Sequence, residues 1–290
     1  MERVCSFCVG FSDITLRFSL PTPIALPEDF AALRCADPST VDGEYRVQLL
    51  TQPLRPDVPP LCVQGDTQIF QTDKGWLHIY PPLGDGDGCQ VACLFCPEGV
   101  HTLYYPASRW EEYSKIWRSA HLIQGERLLL GRQALLLHSS LVRLEGKAVL
   151  FCGASGAGKS TQADLWQAHL GAEILNGDRT VVMKKPDGFY GGGSLWSGTS
   201  HIYRPEQAPI AGIFLVTQAK ENRVEPLGPK AFGPLFSQTI VNSWDSVFMD
   251  TITGLLAELL EQVPVYRLYC LPDAAAAELG YATLFGKEPL

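Results

Sequence analysis

The sequence predicts an α/β domain over residues 107–290, preceded by a smaller β-rich domain over residues 1–106. Three observations predict it. Short apolar segments parted by Pro and Gly clusters fill the first hundred residues. Strand-like and helix-like segments alternate from there on. A glycine-rich loop lies between an apolar strand and a helix.

In the first part, Val4-Cys5-Ser6-Phe7-Cys8-Val9 reads as an apolar strand, and further strands are expected over 13–20, 45–50, 67–71, 76–80, 91–96 and 101–105. Pro21, Pro23, the stretch 53–60 and Gly84-Asp85-Gly86-Asp87-Gly88 act as breakers. The last lacks the following Glu of a calcium loop and reads as a hairpin turn. At Ser108 the texture changes. Ser108 as N-cap with Glu111 three residues on forms a capping box. Trp110, Tyr113, Ile116, Trp117, Ala120 and Leu128 then recur at helical spacing, so a helix is expected to about Gly131. Strands follow over 135–144 and 148–152, a helix over 161–170, and strands over 174–175, 180–183 and 211–217. Helices over 230–241 and 247–263, a strand over 265–271 and a helix over 273–284 complete the pattern.

Composition narrows the function. The chain has 290 residues and a net charge of −8, with no strong basic block, so nucleic acid and anionic membrane surfaces are not expected as partners. No apolar run approaches the ~20 residues that span a bilayer, and Met1-Glu2-Arg3-Val4-Cys5 lacks the shape of a secretory signal. Nine cysteines, an odd number scattered through apolar stretches, fit a reducing cytoplasm. Cys5-x-x-Cys8 and Cys93-x-x-Cys96, with Cys89 nearby, could offer thiolates to zinc. Their apolar strand contexts favour ordinary buried thiols.

The chemistry concentrates at Gly153-Ala154-Ser155-Gly156-Ala157-Gly158-Lys159-Ser160, a P-loop. Val149-Leu150-Phe151-Cys152 is the strand before it, and Ser160 and Thr161 open the helix after it. Glycines let backbone N–H groups turn inward as an anion nest. The helix start adds its positive end. Lys159 can reach β/γ oxygens, and the Ser160 hydroxyl can hold Mg²⁺. No Asn-Lys-x-Asp element marks guanine recognition, and no Leu-Ser-Gly-Gly-Gln element marks a transporter ATPase.

Leu137-His138-Ser139-Ser140-Leu141-Val142, the strand and P-loop, and Leu175-Asn176-Gly177-Asp178-Arg179 together resemble HPr kinase/phosphorylase, and more closely the HPr-kinase-like proteins outside sugar-uptake regulation. The resemblance spans about residues 135–284. Its specific part is a His about 15 residues before the loop and an Asp-Arg about 18 after Ser160. It implies a P-loop kinase fold related to phosphoenolpyruvate carboxykinase, with ATP and Mg²⁺ as cofactors. It implies phosphoryl transfer to a hydroxyl, that of a serine of a protein or peptide substrate. Asp178 falls on the catalytic carboxylate and on the metal with Ser160, His138 on an active-site histidine, and Lys159 on the P-loop lysine. The sugar-regulating enzymes form hexamers, so a homo-oligomer is possible. The chain departs in having Gly177-Asp178 where the family usually has two adjacent acids, and Asp187 and Glu206 do not supply the family's further Glu.

Plainer readings remain beside these. Asn176-Gly177 is also a good hairpin turn, which would make Asp178 a solvated turn residue. His138 could be a core histidine, and Arg179 a partner for a nearby acid. The glycine- and aromatic-rich run 189–199 is either a hinged cover over a ligand or a plain surface loop anchored by Trp196. Rival activities are a small-molecule kinase in the same fold and a nucleotide-binding regulatory module that transfers nothing.

Overall fold

The computed structural model describes residues 3–25, 29–81, 90–114 and 122–286. The chain divides into two compact units, Met1–Leu128 and Leu129–Leu290. Among the described residues no helix is long and apolar enough to cross a membrane. The turn Gly84–Gly88 of the sequence reading, and Cys89, lie outside the described residues.

The first unit is one sheet of β1 (Arg3–Phe11), β2 (Ile14–Ala25), β3 (Arg34–Cys35), β4 (Gly43–Leu50), β5 (Cys62–Gln64), β6 (Thr67–Thr72), β7 (Gly75–Tyr80), β8 (Val91–Phe95) and β9 (His101–Pro106). Its order is β3-β1-β2-β4-β9-β8-β7-β6-β5. β4 runs parallel to both β2 and β9, and the other pairs are antiparallel. Alternate residues of each strand face one side. That places Phe7, Phe18 and Tyr45 in a row, with ring centroids 5.1 and 5.2 Å apart.

Three expectations for this unit change. β2 runs through Pro21 and Pro23 to Ala25, because β4 pairs it only as far as Ser19. Beyond that point one strand edge needs no N–H, which suits proline. The helix expected from Ser108 to Gly131 is broken. Ser108 lies in a 3₁₀ turn whose N-cap is Pro106, and α1 (Trp110–Tyr113) follows with no side-chain cap hydrogen bond. Trp110 and Tyr113 both pack on Tyr105, which ties this turn to β9. Among the described residues a further helix, α2 (Gly125–Leu130), follows Gln124, whose φ is 47°, in the left-handed region. A helix does not continue through that conformation.

The second unit holds β10 (Ala134–Leu144), β11 (Lys147–Cys152), α3 (Lys159–Leu170), β12 (Glu173–Asn176), β13 (Arg179–Lys185), β14 (Gly188–Gly192), β15 (Gln207–Gln218), β16 (Arg223–Pro226), α4 (Phe232–Phe236), α5 (Ser246–Gln262), β17 (Val265–Cys270) and α6 (Ala274–Phe285). It is mixed α/β. β10 pairs β13 through its first half and β11 through its second. β15 likewise pairs β14 at its start and β11 further on. Both strands therefore pass from one sheet region to another. β11, β15 and β17 are mutually parallel neighbours in that order.

Period-two alternation divides the core of this unit. Val149, Phe151, Phe214 and Val216 join a cluster with Trp166 of α3 and Ala276, Ala277 and Tyr281 of α6. Leu150, Cys152, Ile213 and Leu215 join another with Phe248, Ile252, Leu256 and Leu259 of α5. α5 begins at an N-cap, Asp245, whose side chain accepts from Phe248 N. The helix expected over 230–241 shrinks to a 3₁₀ turn and α4. The chain after it pairs with β10 instead: His138 N donates to Gln238 O, and Ile240 N to Leu136 O.

Histidine burial makes the first unit acid-sensitive. His101 stacks on Phe95 at 4.2 Å, and its Nδ1 accepts from Cys96 N. Burial lowers its pKa from 6.5 to about 4, and burial followed by the charge of Arg127 lowers that of His78 to about 3. Both regain an ordinary value on unfolding, so the unfolded chain binds more protons between these values. Stability is therefore retained above pH 6.5 and lost as pH falls toward 4 and 3. His101 alone is expected to cost about 3 kcal/mol at pH 4 relative to pH 7. Urea unfolding across this range checks it: the His101→Phe variant should show a shallower loss with acid.

Candidate functional site

β11 runs buried from Ala148 to Cys152, and the glycine loop leaves its carboxyl end. Gly158 is the N-cap of α3 with φ 104°, a left-handed conformation that L side chains rarely adopt. No side chain caps this helix start. Its first-turn N–H groups therefore point toward the loop, an arrangement suited to an anion. Lys159 is 8% exposed, and its Nζ donates to Gly153 O at 3.0 Å and Ala154 O at 3.2 Å. Burial lowers its pKa, against the raising effects of Cys152 and Asp178. Ser160 and Thr161 are exposed beside it. From β15, Gln218 Nε2 donates to Gly156 O at 2.7 Å and braces the loop.

Asp178 arrives from the other neighbour. The hairpin reading of Asn176-Gly177 is overturned, because β12 and β13 both run antiparallel to β10, one after the other. Leu141 pairs with Asn176 and His138 with Arg179, so the register holds across the gap. Ser139 N donates to Asp178 O, and Ser140 Oγ donates to Gly177 O. The Asn176 side chain makes the local turn. Its Oδ1 accepts from both Asp178 N and Arg179 N.

These elements bring His138 and Asp178 together. His138 Nε2 lies 3.4 Å from Asp178 Oδ1, and Arg179 Nε lies 3.6 Å from Asp178 Oδ2. His138 is not a sealed core histidine: its side chain is 35% exposed. Burial lowers its pKa first, then Lys159; Asp178 opposes this, and Arg179 adds to it. Lys159 therefore lies within electrostatic reach of both members of the pair. A carboxylate beside a neutral imidazole, near a lysine on an anion-shaped loop, can take a proton close to bound anionic oxygens. Among the described residues no three His, Cys, Asp or Glu side chains gather to hold a metal. Asp187 accepts from the Tyr190 hydroxyl, on the surface.

The run 189–199 is neither simple alternative. Its first residues belong to β14, and Ser194, Leu195, Trp196 and Ser197 are buried. Ser194 Oγ is a hub that accepts from Asn176 Nδ2 and Trp196 N and donates to Arg179 O. The sequence reading assigned no role to Ser194 or to the Asn176 side chain. For Asn176 the sequence offers only its place in the Leu175–Arg179 motif and an Asn-Gly pair that also suits a hairpin turn. The exposed end of the run then lies on the aspartate. A Cβ on Gly198 would stand 2.8 Å from Asp178 Cβ, and one on Gly177 would stand 2.5 Å from Ser200 Oγ.

No family model matches the chain, and a comparison with curated proteins finds no match.

The close approach at Gly177 is testable. Gly177→Ala should displace the 197–200 segment and destabilise by about 1–3 kcal/mol. Combining it with Ser200→Gly should recover part of that loss, because the clashing side chain is gone. A double-mutant cycle by urea unfolding reads the coupling.

Proposed function

We propose that the second unit is a P-loop kinase domain, of the HPr-kinase-like type that its motifs resemble, and that the protein transfers phosphoryl from ATP to a hydroxyl. The acceptor is proposed to be a serine of a protein or peptide. One observation carries the reading: the Asp178–His138 pair lies within electrostatic reach of Lys159 on the glycine loop. A generic nucleotide loop has no need of such a pair at this spot.

Each residue then has a task. Backbone N–H groups of residues 153–161 and the start of α3 cradle the phosphates. Lys159 exchanges its loop carbonyls for phosphate oxygens and neutralises their charge. Asp178 takes the acceptor's proton as the acceptor oxygen bonds to the γ-phosphorus and the bond to ADP breaks. His138 and Arg179, on either side, hold Asp178 in orientation. Mg²⁺ is held by few protein ligands, with phosphates and waters completing its octahedron. The donor set of Ser160 hydroxyl and Asp178 carboxylate suits that habit, and bound Mg²⁺ would offset phosphate charge. The cytoplasm is the proposed setting, where the chain's free thiols persist.

A second reading has its own observation. Ser200 fills the place where a second acid would stand at position 177, which favours a nucleotide-binding module without transfer. One experiment separates the two. Purified protein, labelled ATP with Mg²⁺ and serine-bearing peptides are mixed, and ATP binding is measured by calorimetry in parallel. Asp178→Asn is expected to slow transfer by about 10²–10⁴ while ATP still binds. Lys159→Ala should weaken binding and transfer together. Bound ATP with no labelled acceptor, and no change in Asp178→Asn, would leave only the binding module.

A further inference from the structure

The chain that crosses Asp178 carries a hydroxyl of its own. β14 ends at Gly192 and β15 begins at Gln207, and the segment between them belongs to neither strand. It is anchored on both sides of a tip. Trp196 and Ser197 are buried before the tip and Tyr203 after it, whereas residues 198–201 are exposed. Gly198 and His201 have φ of 59° and 53°, two left-handed residues that bend the tip tightly.

The tip is held close over residues 177 and 178. A Cβ on Gly198 would stand 2.9 Å from the carboxyl carbon of Asp178. A Cβ on Gly177 would stand 2.6 Å from Ser200 Cβ and 2.5 Å from Ser200 Oγ. Ser200 thus presents an exposed hydroxyl beside the residue pair that supplies the proposed base. Asp178 is in turn within electrostatic reach of Lys159 on the glycine loop. A phosphoryl group held by that loop would stand near the same carboxylate.

Other hydroxyls of this neighbourhood are closed off. Ser139, Ser140 and Thr180 are fully buried, and the Ser197 hydroxyl oxygen is buried as well. Ser200 Oγ is tied only to its own loop: it donates to Ser197 O at 2.6 Å and accepts from Ile202 N at 3.3 Å. Rotation about the Ser200 Cα–Cβ bond releases it without disturbing the core. A hydroxyl tethered beside the base reacts without the loss of freedom that accompanies capture of a free acceptor.

We propose that the protein phosphorylates itself on Ser200, within one chain. Asp178 takes the Ser200 proton, Ser200 Oγ bonds to the γ-phosphorus of ATP, the bond from that phosphorus to the ADP oxygen breaks, and ADP leaves with the electron pair. The inference rests on the proposed function, because ATP on the glycine loop supplies the phosphoryl group and Asp178 the base.

Phosphatase-treated protein incubated with labelled ATP and Mg²⁺, alone and with serine-bearing peptides, tests it. One phosphate per chain is expected, mapped to Ser200 by mass spectrometry of proteolytic fragments. Mapping on the unaltered protein makes this outcome independent of how well any variant folds. The fraction labelled per minute should not change on dilution of the protein, as a step within one chain requires. Ser200→Ala should lose self-labelling and keep transfer to peptides, and Asp178→Asn should slow self-labelling by about 10²–10⁴. Self-labelling on Ser200 without labelled peptides still upholds the inference. Phosphate on Thr199 or elsewhere overturns it and leaves the kinase reading standing. So does a labelled fraction that falls on dilution, or labelled peptides beside an unlabelled chain. Neither chain nor peptide labelled overturns the kinase reading itself, and the inference with it.

Discussion

The antiparallel register of β10 is the constraint on which the site depends. This strand offers one edge to β11 and the other to the chain that carries Asp178. The glycine loop begins where Cys152 pairs with Ser139, and Asp178 O accepts from that same Ser139 N. A one-residue slip would send every side chain of β10 to the opposite face. Such a slip is opposed by the core, because Leu135, Leu137 and Leu141 pack on one face of the unit's main cluster. Hydrophobic patterning thus sets the position of a polar pair that lies beside the middle of the strand.

Hydrogen bonds then hold what packing cannot. Asn176 is wholly buried, with its oxygen on two N–H groups and its nitrogen on Ser194. A buried amide satisfied at both ends gives the chain a single local geometry. It keeps residues 177–178 out of the regular ladder without making a reversal. The neighbouring run follows from this, since Ser194 also accepts from Trp196 N and fixes where the chain turns toward Gly198. At Gly177 and Gly198 backbone and side chain thereby approach too closely for a Cβ.

Local features were legible in the sequence, and long-range ones were not. The loop, its strand and its helix follow from fifteen consecutive residues or so, each with a local physical task. The strand carrying His138 and the helix expected over 247–263 follow likewise from spacing. The hairpin that Asn176-Gly177 offers as a plainer alternative does not form, because both flanking segments find a better partner in β10, which no local signal announces. The helix expected from Ser108 failed for a similar reason. Its aromatic residues keep helical spacing, yet Trp110 and Tyr113 are spent on Tyr105 rather than on a continuous helical face. Strands β3, β5, β14 and β16 are short or lie in glycine-rich or polar stretches, where alternation carries little information.

Histidine shows why the candidate site could be guessed but not ranked from residue type. His78 and His101 sit among apolar and aromatic side chains, where burial alone accounts for most of their depressed basicity. His138 is depressed too, but it faces Asp178, Lys159 and Arg179 at once and keeps a third of its side chain open. Burial among mostly apolar neighbours removes a titration from the working pH range and leaves a packing residue. Partial burial among opposing charges leaves the protonation state dependent on whatever anion enters. A phosphate near Lys159 would offset the lysine's lowering effect on His138, so the imidazole's proton affinity is coupled to occupancy of the loop. That coupling, rather than the presence of a histidine, separates a group able to take part in chemistry from one that only fills the core.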